Sequence, residues 1–176
     1  MKIALIRHPT PLIAPGTCYG HLDVPLAPKG LADIPRITAT LDSFPLAALW
    51  TSPSQRCRLV ADAFARDHNI PPTPDPRLQE MDFGQWEGQP WDDIPRPDLD
   101  RWAANPLTFA APGGESGAAL IARIQTFHTH LREDGLDCAV ISHGGPLKIL
   151  IRLLLDEALD LLAPSPSLGS VRIVEI

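Results

Sequence analysis

Lys2-Ile3-Ala4-Leu5-Ile6-Arg7-His8 near one end of the chain and Asp137-Cys138-Ala139-Val140-Ile141-Ser142-His143 near the other decide the fold. Each is a short apolar run that stops at a histidine. Continuous apolar runs of this length are what strands look like in a sheet covered on both faces, so strands are expected over Lys2 to Ile6 and Asp137 to Ser142. In an open α/β sheet, ligands bind beyond the carboxyl ends of the strands. Two such ends can therefore bring Arg7, His8 and His143 into one crevice. Histidines backed by arginines suit phosphate chemistry. Taken alone, either dipeptide says little, because a histidine at a strand end is more often a satisfied surface residue; the pairing carries the signal.

Working outward, a long loop follows from His8 to Pro28, and a connection of that length in a compact domain is usually functional. Pro35 would break a helix begun near Pro28, so a shorter helix capped by Asp33 and running through Leu41 is expected. A strand over Ala47 to Trp50 leads to Ser52-Pro53, which reads as an N-cap followed by proline at the first helical position. That helix runs to about Arg66 with Leu59, Val60, Ala63 and Phe64 facing the core and Arg56 in its first turn. Arg77 to Asn105 has no clean period and reads as loop with short helical turns. A helix opening at Ser116 or at Gly113-Gly114 extends to about Arg132, with Leu120, Ile121, Ile124, Phe127 and Leu131 on one face. Helices over Pro146 to Leu155 and Glu157 to Leu162, and a strand within Leu168 to Ile176 centred on Val171 to Glu175, complete the chain. Strands alternating with helices argue for an α/β fold with a mostly parallel sheet.

The 176 residues suit one domain, 1–176. Lys plus Arg of 15 against Asp plus Glu of 21, a net charge of -6, argues against nucleic acid or an anionic membrane as partner. An anionic substrate must be attracted locally. Three cysteines without CxxC spacing read as free thiols in a reducing compartment. The amino terminus runs directly into an apolar strand without secretory-signal character, and no apolar stretch approaches a membrane span; the expectation is a cytoplasmic protein. The 20 prolines cluster in Thr10 to Pro28 and Pro71 to Pro76, where they stiffen irregular connections. His128 and His130, two apart on a helix, do not face one point and are no metal pair. Trp86, Trp91 and Trp102 read as packing residues.

LIRHP at Leu5 to Pro9, CYGHLDVPL at Cys18 to Leu26, SPSQR at Ser52 to Arg56, LQEMDFGQWEG at Leu78 to Gly88, GGES at Gly113 to Ser116 and VISHGG at Val140 to Gly145 stand in a specific order. In that order the chain resembles the histidine phosphatase superfamily, the phosphoglycerate mutase-like proteins, over essentially its whole length. The CYGxxDVPL and DFGxWEG segments are most similar to small bacterial α-ribazole phosphatase-like members. The resemblance implies a three-layer α/β/α sandwich with a mostly parallel central sheet. It implies His8 as the nucleophile that forms a phosphohistidine, its tautomer set by a main-chain acceptor. It implies Arg7 and Arg56 as the phosphoryl clamp, with His143 as a further donor, strongest if cationic. With these groups no metal or cofactor is expected. Glu80 matches the family's proton shuttle, with Asp82 and Glu87 rival acids on chemistry alone, and Glu115 matches a supporting position tied to helix capping and pocket architecture.

Three positions depart from the family. Pro9 replaces the usual glycine, Pro11 the usual threonine, and Ala14 the usual phosphate-binding asparagine. Thr10, or Tyr19 and His21 from the neighbouring loop, are the candidate replacements, and Gly144 is a further candidate at the substrate. The resemblance implies a phosphomonoesterase acting on a small phosphate monoester, with α-ribazole 5′-phosphate of cobalamin nucleotide-loop assembly as the matching substrate. A broad-specificity sugar or nucleotide phosphatase, a phosphoglycerate mutase, or a catalytically silent phosphate-binding or interaction module are the alternatives. The chain is short for the insertions of a mutase, and a silent module has no use for a proton shuttle.

Overall fold

The computed structural model describes residues Met1–Ile176. Its elements are β1 (Lys2–Arg7), α1 (Pro28–Ala39), β2 (Ala48–Thr51), α2 (Gln55–His68), β3 (Thr73–Pro74), α3 (Arg96–Ala104), α4 (Gly117–Asp134), β4 (Cys138–Ser142), α5 (Gly144–Leu154) and β5 (Val171–Glu175). One sheet holds all the strands in the order β3-β2-β4-β1-β5. Only β5 runs antiparallel to its neighbour.

The two apolar runs lie side by side at the centre, because only there does a strand have a covered face on both sides. Alternation along the strand sends Ile3, Leu5, Cys138 and Val140 to one face, where they meet Leu120, Ile124 and Phe127 of α4 and Leu147 and Leu150 of α5. Ala4, Ile6, Ala139 and Ile141 face the other way, onto Ile37 of α1 and Val60 and Phe64 of α2. The result is a three-layer α/β/α sandwich, as the resemblance implies. Outside it, Trp86 and Ile94 form a small third core with Phe83, Trp91, Trp102 and Phe109, so the tryptophans do pack on one another.

Several expectations about element boundaries are corrected. Helix α1 starts at Pro28, where proline suits the first position, and continues through Pro35. An interior proline costs about 3 kcal/mol, and burial of Ile37 and Leu41 with Ile34 beside them offsets it. Helix α2 begins at Gln55 rather than Pro53. The Ser52 hydroxyl is taken by His143 Nε2 at 2.8 Å, and the helix start is capped instead from the loop, Gln55 donating its backbone N–H to Asp23 Oδ1 at 2.8 Å. Its buried face is Arg56, Cys57, Val60, Ala61, Ala63 and Phe64, leaving Leu59 exposed. A full helix, α3, stands where short turns were expected; it carries Trp102 onto the aromatic cluster.

Residues Glu157 to Leu162 form no helix. Carbonyls that a helix would use are taken by side chains of α5, Arg152 Nη1 donating to Ala158 O at 2.6 Å and Lys148 Nζ donating to Leu161 O and, at 3.1 Å, to Ala163 O. Helix α4 opens at Ser116, whose hydroxyl accepts from Ala119 N at 3.2 Å, and ends at the left-handed Gly135. Helix α5 starts at Gly144, two residues ahead of Pro146. The edge strand β3 left no sequence signal, since two residues are too few for a period.

Candidate active site

Register is what assembles the site. With β1 and β4 parallel and Arg7 opposite Ser142, the next residues, His8 and His143, emerge together from adjacent strand ends. His8 N donates to Ser142 O at 3.1 Å, and the two imidazole centroids stand 5.1 Å apart, edge to face. Both rings are buried, at 1% and 0% exposure.

His8 Nδ1 lies 2.8 Å from Pro9 O. A carbonyl accepts only, so Nδ1 carries the proton and Nε2 keeps its lone pair. Proline at position 9 supplies this carbonyl as well as glycine would. Burial chiefly, opposed by the Pro9 bond and reinforced by Arg56 and Arg7, pushes the His8 pKa down to about 3. The ring is thus neutral at physiological pH, as a nucleophile must be. His143 sits at the N-cap position of α5, and burial, then the His8, Arg56 and Arg7 charges, hold its pKa well below the ordinary value. As a donor His143 would be strongest if cationic, but burial favours its neutral form, which offers a single N–H.

The positive field comes from the two arginines. Arg56, in the first turn of α2 and fully buried, donates through Nη1 to Leu22 O at 3.0 Å and through Nη2 to Gly20 O at 2.7 Å. Arg7 Nη1 donates to Pro166 O at 2.6 Å. Neither arginine pairs with a carboxylate, whereas Arg36, Arg77, Arg96, Arg101, Arg123 and Arg152 do. Arg7 Nε and Arg56 Nε are buried donors with no acceptor in the protein. Buried unpaired donors are rare, and two on unpaired guanidinium groups are what an oxyanion would satisfy.

Glu80 reaches the same end of the sheet from the loop after the turn Pro76–Leu78. Its carboxylate accepts from Gly145 N at 3.1 and 3.3 Å and from Met81 N at 3.0 Å. Gly145 has no side chain where a Cβ would stand 2.4 Å from Glu80 Oε1. The rival acids are engaged elsewhere. Glu87 accepts from His21 N at 2.8 Å, Phe83 N at 3.0 Å and Leu22 N, and so ties the 20–22 loop to the 83–87 turn. Asp82 accepts from Gly84 N at 2.8 Å.

Behind Glu80 stands Arg123 of α4, which the sequence left unmarked. Its guanidinium pairs in a fork with Glu115 at 2.6 and 3.1 Å and donates to Glu80 O at 2.9 Å, to Gln79 O at 2.7 Å and to Arg77 O. Every guanidinium nitrogen holds the segment that presents Glu80 or its neighbour Glu115. A cation amid the apolar positions of Leu120, Ile121 and Ile124 was the available signal. Lys148, in the apolar run of α5, is the second missed residue; burial chiefly lowers its pKa against the Glu80 charge, and the two side chains line one pocket.

Among the loop candidates, Tyr19 lies in the site, with Arg56 Cζ 5.4 Å from its ring centroid. Burial pushes its phenol pKa up, against the nearby Arg7 and Arg56 charges. His21 stands at the rim with Nδ1 3.6 Å from Asp82 Oδ2. Thr10 makes no side-chain bond here; its carbonyl accepts from Ala27 N at 3.0 Å against the start of α1. Ala14 is exposed in the loop. Gly144 serves by its missing side chain, since a Cβ there would stand 3.1 Å from Arg7 Cζ and 2.9 Å from Ser165 Oγ. No three His, Cys, Asp or Glu side chains are gathered as a metal site would need.

A sequence model described as the histidine phosphatase superfamily, branch 1, matches residues 3–176. The adenosylcobalamin/α-ribazole phosphatase of Salmonella typhimurium is 30% identical over 161 residues, 88% of this chain and 80% of that protein. Phosphoserine phosphatase 1 of Hydrogenobacter thermophilus is 27% identical over 161 residues, 88% of this chain and 76% of that one. The crystal structure of the α-ribazole phosphatase from Shigella flexneri superposes with a TM-score of 0.89 at 26% identity, covering 100% of this chain and 91% of that chain.

Proposed function

The chain belongs to branch 1 of the histidine phosphatase superfamily, and on that premise we propose that it hydrolyses a small phosphate monoester through a phosphohistidine on His8, without a metal. The observation that carries this reading is the neutral, buried His8 with its Nδ1 proton committed to Pro9 O, next to two arginines that have no carboxylate partner.

In the first step His8 Nε2 attacks phosphorus in line, the P–O bond to the alcohol breaks, and protonated Glu80 gives its proton to the departing oxygen. In the second, the Glu80 carboxylate takes a proton from water, the water oxygen attacks phosphorus, and the P–N bond breaks to release phosphate and neutral His8. Splitting one displacement into two makes each easier. Arg7 and Arg56 stabilise the charge on the transferring group. Tyr19 is the loop side chain placed to supply the donor absent at Ala14.

For the substrate, α-ribazole 5′-phosphate is the proposal, supported by the CYGHLDVPL and DFGQWEG segments and by the relatives named for that activity. The reaction would then serve assembly of the cobalamin nucleotide loop. Cys18, Cys57 and Cys138, all buried free thiols, support a reducing, cytoplasmic setting.

The test is to mix enzyme with a labelled phosphate monoester, quench in base, and look for an acid-labile, base-stable phosphoenzyme. The wild type should yield one that His8→Ala does not, and His8→Ala should lose roughly 10³- to 10⁶-fold in turnover. Near-normal turnover in His8→Ala would refute the mechanism.

A further inference from the structure

We propose that the crevice beside Glu80 is the leaving-group subsite and that it selects phosphate esters whose alcohol carries a flat, uncharged, largely apolar ring system over small or zwitterionic alcohols. This rests on the phosphatase reading above. A group that protonates the leaving oxygen must touch it, so whatever the alcohol carries lies on Glu80's side of phosphorus. There the structure has a pocket of about 160 Å³ walled by Met81, Phe83, Trp102, Pro106, Leu161 and Leu162.

One wall is rigid. Trp102 stacks on Trp91 with centroids 6.0 Å apart at 21°, and meets Phe83 and Trp86 edge-on at 6.2 and 6.4 Å. A fixed indole presents a flat apolar surface at little entropic cost. The opposite wall is the Leu161–Leu162 segment, fastened by Lys148 through Leu161 O and Ala163 O. Beyond it, Pro106, Leu161 and Leu162 are shared with an outer groove that adds Leu107, Ile121 and Leu159. Leu162 at 62% and Leu107 at 50% exposure stand open along this track. Apolar side chains gathered in a concavity next to a reactive centre are the usual composition of a small-molecule pocket.

The two charges in the pocket are already engaged. Glu80 accepts from the Gly145 and Met81 amides, and Lys148 donates to two carbonyls. An alcohol bearing both an ammonium and a carboxylate, as in phosphoserine, would have to displace these contacts and desolvate its own charges against leucine and tryptophan. Of the substrates named for the two relatives above, α-ribazole 5′-phosphate carries a fused ring on its sugar and phosphoserine does not.

The experiment measures kcat/KM for 2-naphthylmethyl phosphate, ethyl phosphate and phosphoserine, the first two having leaving alcohols of similar basicity. The wild type should prefer the naphthyl ester to ethyl phosphate by at least about a hundredfold, with phosphoserine no better than ethyl phosphate. Trp102→Ala should cut that preference by about tenfold or more. Leu162→Ser, at an exposed position that does not burden folding, should cut it in the same direction. Turnover with no preference for the ring, a preference for phosphoserine, or a preference unchanged in both variants overturns the subsite and leaves the phosphohistidine route standing. Failure to turn over any ester overturns both.

Discussion

Gly145→Ala adds one methyl group, yet it should disable proton transfer. The added Cβ would stand 2.4 Å from Glu80 Oε1, where ordinary contact is 3.4–4 Å, so the carboxyl must withdraw by about 1 Å. It then leaves the Gly145 amide at 3.1 and 3.3 Å and keeps only that of Met81 at 3.0 Å. A misplacement of about 1 Å in a reacting group costs on the order of 10²-fold, within the roughly 10²- to 10⁴-fold that a general acid supplies. Residue 145 is the second residue of α5 and precedes Pro146, so alanine gains no helix-interior advantage over glycine there. The assay is single-turnover phosphoryl transfer from ethyl phosphate and from p-nitrophenyl phosphate, with thermal denaturation alongside. Ethoxide needs a proton to leave and p-nitrophenolate does not, so the loss of about 10²-fold should fall on the ethyl ester and largely spare the nitrophenyl one. Adding Glu80→Asp, shorter by one methylene, should return part of the ethyl rate to the alanine variant. Equal losses on both esters, or an undiminished ethyl rate, would refute the role assigned to Glu80.

Excess chelator should leave turnover within about twofold, since Arg7 and Arg56 supply the positive field and a tenfold loss would already represent about 1.4 kcal/mol; abolition with rescue by a divalent cation would reject this. Stability should fall as the solution is acidified, because His8 has a pKa of about 3 when folded against 6.5 for a free imidazole. The unfolded chain then binds the proton that the native ring refuses, so the contribution is complete above pH 6.5 and is lost toward pH 3, the loss reaching about 2 kcal/mol at pH 5. Urea denaturation at pH 7 and pH 5 should show a smaller loss in His8→Gln than in the wild type; identical losses would contradict a neutral buried His8.

Much of the architecture was legible because the information is local. A strand buried on both faces must be apolar throughout, so Ile3 to Ile6 and Ala139 to Ile141 announce themselves, and a histidine two residues beyond each marks the strand end without any knowledge of distant contacts. The same holds for Arg56, two residues into a helix that follows a serine-proline start, and for Ser116 capping α4. Family resemblance added roles for His8, Arg7, Arg56, His143 and Glu80, since short motifs in a specific order survive where no single motif is informative.

What only the tertiary structure decided depends on residues far apart in the chain. Pro35 was read as a helix breaker because a local rule has no access to the core that Ile37 meets. His143 was read as a donor, strongest if cationic, and its charge state is set by the burial and the neighbouring cations that the parallel register of β1 and β4 imposes. On chemistry alone Glu80, Asp82 and Glu87 are equivalent carboxylates; physically they part company only when Gly145 approaches one, Gly84 another, and the 20–22 loop the third. Lys148 and Arg123 carry no motif at all, because most of their partners are backbone carbonyls, which every residue has and no sequence distinguishes.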